Sequence, residues 1–148
     1  MKVIKRMYNH LNWANQRILE TLQNLERDNP QARRLFSHIL SAEQVWLSRL
    51  KGESSSQPIW GEVEIEVCAE MVKKNRNSFD AFLSSIDKAD LDQFITYKNS
   101  KGIEFKNSIG DILTHVALHG QHHRGQINAQ LRSNHTEPVN TDFITFVR

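Results

Sequence analysis

The sequence has almost no cysteine, and this scarcity limits the chemistry open to the protein. Cys68 is the only cysteine in 148 residues, so the chain can form neither an internal disulfide nor a thiolate cluster for a metal ion. Any metal site must therefore take its ligands from histidine, carboxylate groups and water.

Long apolar runs and strong charge are also absent. No run reaches the roughly 18 apolar residues of a membrane-spanning helix, so we expect no membrane insertion. The first ten residues carry positive charge but no apolar stretch or cleavage site after it, so we expect a cytoplasmic protein without a secretory signal. The formal net charge is only +2 and the basic residues are scattered, so neither nucleic acid nor an anionic membrane surface is an expected partner.

The size and composition predict an ordinary globular domain. With 39% hydrophobic and 24% charged residues, the chain is long enough to bury a real core without disulfides or other covalent links. We therefore expect one domain that covers residues 1–148.

Four segments predict helices because their apolar residues recur three or four positions apart. They cover residues 3–25, 30 to about 50, roughly 63–86, and about 108–131. Asn29 and Pro30 indicate the start of the second helix, since Asn can cap a helix and proline fits the first helical position. Ser108 and Asp111 form a capping pattern for the fourth. The segment Lys51–Pro58, rich in Gly, Ser and Pro, predicts a loop.

The period changes between the third and fourth helices. Phe94–Tyr97 and Ile103–Phe105 are short β-prone runs, and a turn-rich connector separates them. We expect a small hairpin here and an extended tail over residues 134–148 that packs back on the helices. The predicted fold is all-α: a four-helix bundle with long crossover connections and a small β-hairpin between helices three and four.

Histidine is concentrated in the predicted fourth helix. Four of the seven histidines, His115, His119, His122 and His123, lie within nine consecutive residues. At about 100 degrees per residue, His119 and His123 fall on the apolar face, His115 at its edge and His122 on the polar side. Two histidines four residues apart on one face can both reach a single ion.

A third inward histidine is available on the predicted second helix. His38 projects from the apolar face between Leu35 and Ala42. Three neutral imidazoles with water match a catalytic zinc-type site, which keeps one coordination position open. No Glu follows His119, which argues against the zinc-protease motif. The sequence predicts a metal site at His38, His119 and His123; the alternative is a metal-free hydrogen-bonded histidine cluster.

Other polar residues have less specific interpretations. We interpret His10 as a solvated helix histidine and Glu43 as a surface residue. Asn12, Trp13 and Asn15 are interpreted as a polar cap with a packed indole ring, although His10 and the two asparagines are also the places where a fourth metal ligand could come from.

Several stretches together carry a resemblance to a known family. They are Tyr8–Arg17, Leu35–Leu40 with Trp46, Tyr97–Phe105, His115–Ile127 and Asp142–Ile144. On these, the chain resembles the DinB/YfiT family of small metal-binding four-helix-bundle proteins. The His-His-Arg-Gly-Gln core at residues 122–126 is the most specific part. The resemblance implies His38, His119 and His123 as ligands, the same three residues that the helical pattern selects.

The resemblance also implies a function. Members of the wider superfamily include metal-dependent transferases that use thiols such as bacillithiol or mycothiol, whereas many members have no established activity. We therefore expect a divalent ion (Zn, Ni, Fe or Mn), a low-molecular-weight thiol and a small-molecule substrate. The alternative is a non-catalytic metal-binding module of a stress or damage response. Similar bundles often dimerise, so a homodimer is a further expectation.

Two residues of the fourth helix receive roles if the protein is such an enzyme. Arg124 is a candidate to hold a carboxylate of the cofactor or substrate, with a surface ion pair as the alternative. His115, one turn before His119, is a candidate either to fix the tautomer of a ligand or to act as an acid or base at the rim of the site.

Overall fold

The computed structural model describes residues 1–55 and 57–148, which form four long helices and a hairpin. The elements are α1 (Lys2–Gln23), α2 (Pro30–Leu50), α3 (Ile65–Ser85), β1 (Phe94–Lys98), β2 (Glu104–Ser108), α4 (Ile109–Ser133) and the short α5 (Phe143–Phe146). The predicted helical bundle with a hairpin is confirmed. Residues 53–55 and 57–58 of the predicted loop lie outside any helix, and Ser56 lies outside the described residues.

A side-chain cap is present at the N-terminus of each helix that carries candidate ligands, α2 and α4. The Asn29 side-chain oxygen accepts a hydrogen bond of 3.1 Å from the Ala32 backbone N–H, with Pro30 as the first residue of α2. Ser108 accepts one of 3.1 Å from the Asp111 N–H at the start of α4. Each cap satisfies a backbone donor that has no partner within the helix. The sequence signals at both positions are therefore confirmed.

The most extensive contact between helices joins two that are not consecutive in the chain. α2 packs most extensively on α4 and also on α3, while α1 packs on α3 and α4. The long connections before and after α3 allow this arrangement. Its consequence for function is that α2, which carries His38, lies directly beside α4 and its histidines.

Two apolar clusters fill the bundle. One contains Ile18, Leu40, Val72 and Ile127, and the other contains Leu11, Leu47, Phe79 and Val116 among its members. Within every long helix, the members of the two clusters are separated by a buried polar residue. These four residues, one from each helix, are Asn15, Glu43, Asn75 and Arg124; we call them the polar network.

The polar network is held by short hydrogen bonds. Arg124 Nη1 donates to Asn15 Oδ1 at 2.8 Å, Asn15 Nδ2 donates to Glu43 Oε1 at 2.8 Å, and Asn75 Nδ2 donates to Glu43 Oε2 at 2.8 Å. Burial raises the pKa of Glu43 to about 6 and lowers the pKa of Arg124 to about 10. Each charge loses hydration, and its partners in the network compensate part of that loss.

Glu43 is therefore not a surface residue, and that interpretation is wrong. It is 2% exposed because the side-chain amides of Asn15 and Asn75 and the charge of Arg124 replace its water. Gly120 gives the arginine its space: a Cβ at that position would lie 3.0 Å from Arg124 Nη1.

The C-terminal segment corrects two further expectations. Residues 143–146 form the short helix α5 and not an extended tail. His10 is 8% exposed, and its Nε2 lies 2.7 Å from the Thr141 carbonyl oxygen, to which it donates. The interpretation of His10 as solvated is wrong because the C-terminal segment covers that face of α1. Among the residues that the structure describes, none of the helices is long and apolar enough to cross a membrane.

Glu43→Gln is expected to destabilise the protein by about 3 kcal/mol, because it removes the counter-charge of buried Arg124 and turns an amide N–H2 toward another donor. Urea unfolding at pH 7 measures the change. Glu70→Gln, on the exposed side of α3, is the matched control and should shift stability by less than about 0.5 kcal/mol. Equal stabilities of the two variants would contradict a stabilising role for the network.

Candidate metal centre

Three histidines from two helices meet at one edge of the bundle. His38 of α2 and His119 and His123 of α4 each offer a ligand atom, and these atoms lie within 4.8 Å of one another. The Nε2 atoms of His38 and His119 are 3.0 Å apart. Nitrogens bound at about 2.0 to 2.1 Å to one tetrahedral ion are roughly 3.3 Å apart. The histidine cluster is therefore positioned for metal binding.

Hydrogen bonds on the far side of two rings direct their free nitrogens into the cluster. His38 Nδ1 donates to the Ile59 carbonyl oxygen at 3.0 Å, and His123 Nδ1 donates to Gln126 Oε1 at 2.6 Å. Because both partners are acceptors, Nδ1 carries the proton in each ring and the lone pair is on Nε2. Metal-bound histidines have such partners, which fix the tautomer and the ring orientation.

Trp60 covers one face of the His38 ring. Its ring stacks on the His38 ring with a centroid distance of 3.5 Å and an interplanar angle of 4°, and it lies 5.9 Å from the His123 ring. The sequence analysis did not identify Trp60, because the segment after α2 has no periodic pattern. The only signal was a large aromatic residue in a stretch otherwise rich in small and polar side chains.

Burial favours the neutral form of two rings of the cluster, His38 and His119. Burial, with smaller contributions from His123 and His38, lowers the pKa of His119 to about 3, and burial lowers the pKa of His38 as well. Neutral rings keep their lone pairs available for an ion. Since the pKa of His119 is lower in the folded chain than its ordinary value of about 6.5, its contribution to stability is present above that value and is lost on acidification toward pH 3.

The donor set fits a late first-row divalent ion with an open coordination position. Within residues 1–55 and 57–148, no fourth histidine, cysteine or carboxylate joins the cluster. Of the suggested sources of a fourth ligand, His10 is bonded to Thr141, and Asn15 is bonded to Arg124 and Glu43. Asn12 as a source stays a prediction. In the metal-free alternative, the hydrogen bond between His38 and His119 uses two of the three nitrogens, whereas one ion uses all three.

Arg124 lies in the core and not on the surface, so the expected surface ion pair is wrong. The residue is 0% exposed, and its donors are directed to Asn15 and Gln121. Its burial could have been predicted from its position, four residues after buried Gly120 and three before buried Ile127. Arginine is usually exposed, so this position was not recognised as a core position. Its suggested role in holding a ligand carboxylate stays a prediction.

His115 and His122 lie at the rim of the cluster, and both are exposed. The His115 ring packs edge-on against Trp46 at 5.1 Å and lies 5.7 Å from the His119 ring. The hydrogen bonds that fix ligand tautomers come from Ile59 and Gln126 instead of His115. A role for His115 as an acid or base at the rim stays a prediction.

Comparison with known proteins identifies the family. The model of the DinB family matches residues 1–148. This chain belongs to the DinB family. Protein DinB of Bacillus subtilis (strain 168) is 24% identical, over 93% of this chain and 90% of that protein. A crystal structure of a DinB-like protein from Bacillus cereus ATCC 10987 superposes with a TM-score of 0.71 at 19% identity, over 95% and 96% of the two chains. The family and fold that the sequence motifs predicted are thus confirmed.

His119→Ala is expected to abolish stoichiometric metal binding, because it removes one of three ligands and leaves two that cannot hold an ion tightly. Protein purified without a histidine tag and incubated with zinc should bind about one equivalent by elemental analysis. His122→Ala removes a neighbouring exposed histidine and should still bind one equivalent. Equal binding by both variants would exclude the cluster as the site.

Gln126→Leu is expected to weaken metal affinity about 10- to 100-fold, since loss of the acceptor frees the His123 ring to rotate and to change tautomer. Competition with a fluorescent zinc chelator gives the affinity. Gln126→Glu keeps an oxygen acceptor at the same position and should restore binding, whereas a loss of affinity equal to that of Gln126→Leu would contradict the orienting role.

Proposed function

We propose that this DinB-family protein is a metalloenzyme that transfers a low-molecular-weight thiol to an electrophilic small molecule. The observation that carries the proposal is the histidine cluster: three imidazoles from α2 and α4 converge, and no fourth histidine, cysteine or carboxylate of the described residues joins them. A closed structural site uses four protein ligands, whereas a catalytic site leaves a position for water or substrate.

Different residues of the chain have different roles in such a reaction. A bound divalent ion supplies positive charge that lowers the pKa of a thiol at the open position. Ile59 and Gln126 hold the ligand rings in place, and Trp60 covers one side of His38. Of the expected ions, Zn, Ni and Fe suit three imidazoles, whereas Mn prefers oxygen ligands; metal availability in the cell decides among those that fit.

The proton and the leaving group have defined destinations. The thiol loses its proton to a base at the rim, and the sulfur then forms a bond to the electrophilic carbon while the bond from that carbon to its leaving group breaks. We assign the role of this base to His115, which is exposed and whose ring lies 5.7 Å from the His119 ring. Burial together with the charge of Arg49 lowers its pKa, so at pH 7 the ring is in the neutral form that can accept a proton.

A non-catalytic metal-binding module is the second candidate. It is favoured by one feature, that the ligands come from two different helices. An ion bound there links α2 to α4, and it stabilises the folded state more when it binds more tightly. Metal that raised the melting temperature without supporting any thiol transfer would favour this second candidate.

The enzyme proposal predicts metal-dependent thiol transfer. Zinc- or nickel-loaded protein with a bacillithiol-type thiol and a chlorinated electrophile should release chloride faster than the uncatalysed mixture. His38→Ala should reduce the rate to background because the ion is lost, while His122→Ala should keep it. Chloride release and product mass give the rates, and equal rates for wild type and His38→Ala would refute the proposal.

A further inference from the structure

A cleft opens next to the histidine cluster, between the segment after α2 and the hairpin. Its volume is about 1010 Å³, and its wall includes Ile59, Trp60, Arg49 and Tyr97. Ile59 and Trp60 are the same residues that contact His38. A molecule in this cleft would therefore lie against the wall of the metal centre.

Arg49 packs against two aromatic rings in this cleft. Its guanidinium carbon lies 4.4 Å from the centroid of the Trp46 ring and 4.9 Å from that of Tyr97, and the two rings meet edge to face at 5.2 Å. The Tyr97 hydroxyl donates to Asn107 Oδ1 at 2.9 Å, which fixes that ring on the hairpin. Stacking of this kind orients the planar cation in advance.

The charge of Arg49 has no protein partner within the part of the chain that the structure describes. The ion pairs there join Arg33 to Asp28 and Arg76 to Asp80. Glu53 and Glu104 also line the cleft, but both are exposed, and neither is within 4.0 Å of the guanidinium. Arg49 is half-buried, and burial lowers its pKa. It is thus a partly desolvated cation with free donors.

A series of ring contacts connects Arg49 with the metal centre. The Trp46 ring that stacks on Arg49 lies 5.1 Å from the His115 ring, and His115 lies 5.7 Å from His119. Arg49 is thus three ring contacts away from His119, on the same side of the bundle.

We propose that Arg49 is a specificity-determining residue that binds the carboxylate of a reactant in this cleft. The inference rests on the proposed function, because it places a carboxylated thiol or a carboxylated electrophile beside the histidine cluster. The guanidinium fork matches a carboxylate in two parallel hydrogen bonds, and the rings of Trp46 and Tyr97 hold that fork in one direction.

The test uses matched probes with and without a carboxylate. Zinc-loaded protein is titrated with N-acetylcysteine or N-acetylcysteamine as the thiol pair, and with propionate or propionamide as unreactive stand-ins for an electrophile. Shifts of the tryptophan indole N–H signals in NMR spectra give the affinities. In wild type, the carboxylate member of at least one pair should bind about tenfold more tightly, the effect of a hydrogen-bonded charge pair. The pair that shows this preference identifies the reactant that carries the carboxylate.

Variants separate the role of Arg49 from general charge effects. Arg49→Met should remove the preference for the carboxylate, and Arg49→Lys should retain part of it because the charge stays while the fork is lost. The matched control is Arg17→Met, which removes an exposed arginine that stacks on Trp13 at 5.0 Å. It should bind all four probes as wild type does.

Each outcome is decisive for one of the two proposals. If neither pair shows a carboxylate preference in wild type, or if Arg49→Met keeps it, the inference about Arg49 is overturned. If neither thiol binds at all but propionate is preferred over propionamide and the preference depends on Arg49, the carboxylate site stands and the thiol transferase proposal fails. Should Arg49→Met not fold, a wild-type preference in Arg49→Lys would overturn the bidentate contact.

Discussion

One polar side chain from each of the four long helices meets at the centre of the bundle, and the placement of the candidate site depends on this contact. A buried charge is held firmly in position, because its partners compensate for its lost hydration and any displacement would remove that compensation. Arg124 is therefore fixed by its hydrogen bond to Asn15, which in turn donates to Glu43. Since Arg124 directly follows His123, the same contact sets the rotation of α4 about its axis and turns the histidines toward α2.

The polar network and the histidine cluster require neighbouring residues of α4 to point in different directions. His119 and His123 reach the half-buried edge, whereas Gly120 and Arg124, one position later, face the core. A step of about 100 degrees per residue makes both possible. Glycine at 120 is needed because a Cβ there would lie 3.0 Å from the guanidinium. The Gly-Gln-His-His-Arg order of residues 120–124 thus serves the core and the site together.

Helix positions and the convergence of the three histidines could be predicted from the sequence, because both depend on local rules. Asn29, Pro30 and Ser108 mark helix starts through backbone geometry, and the inward direction of His38 follows from its position between apolar neighbours. Glu43 and His10 could not be predicted, since their burial depends on long-range partners: Asn75 of α3 for the one, and the C-terminal segment for the other. The helical pattern assigned both to the surface, because His10 lies at the edge of the apolar face of its helix and Glu43 lies off that face.

The parts of the site that were hardest to predict are the residues that surround the three histidines. Ile59, Trp60 and Tyr97 belong to the connection after α2 and to the hairpin, where no helical period constrains the sequence, and they form the cleft beside the histidines. Helices hold metal ligands rigidly because their backbone hydrogen bonds are satisfied internally, whereas connections tolerate change. In the proposed function, the fold therefore separates the metal chemistry, assigned to α2 and α4, from the choice of substrate, assigned to the crossover segments and to Arg49 at the end of α2.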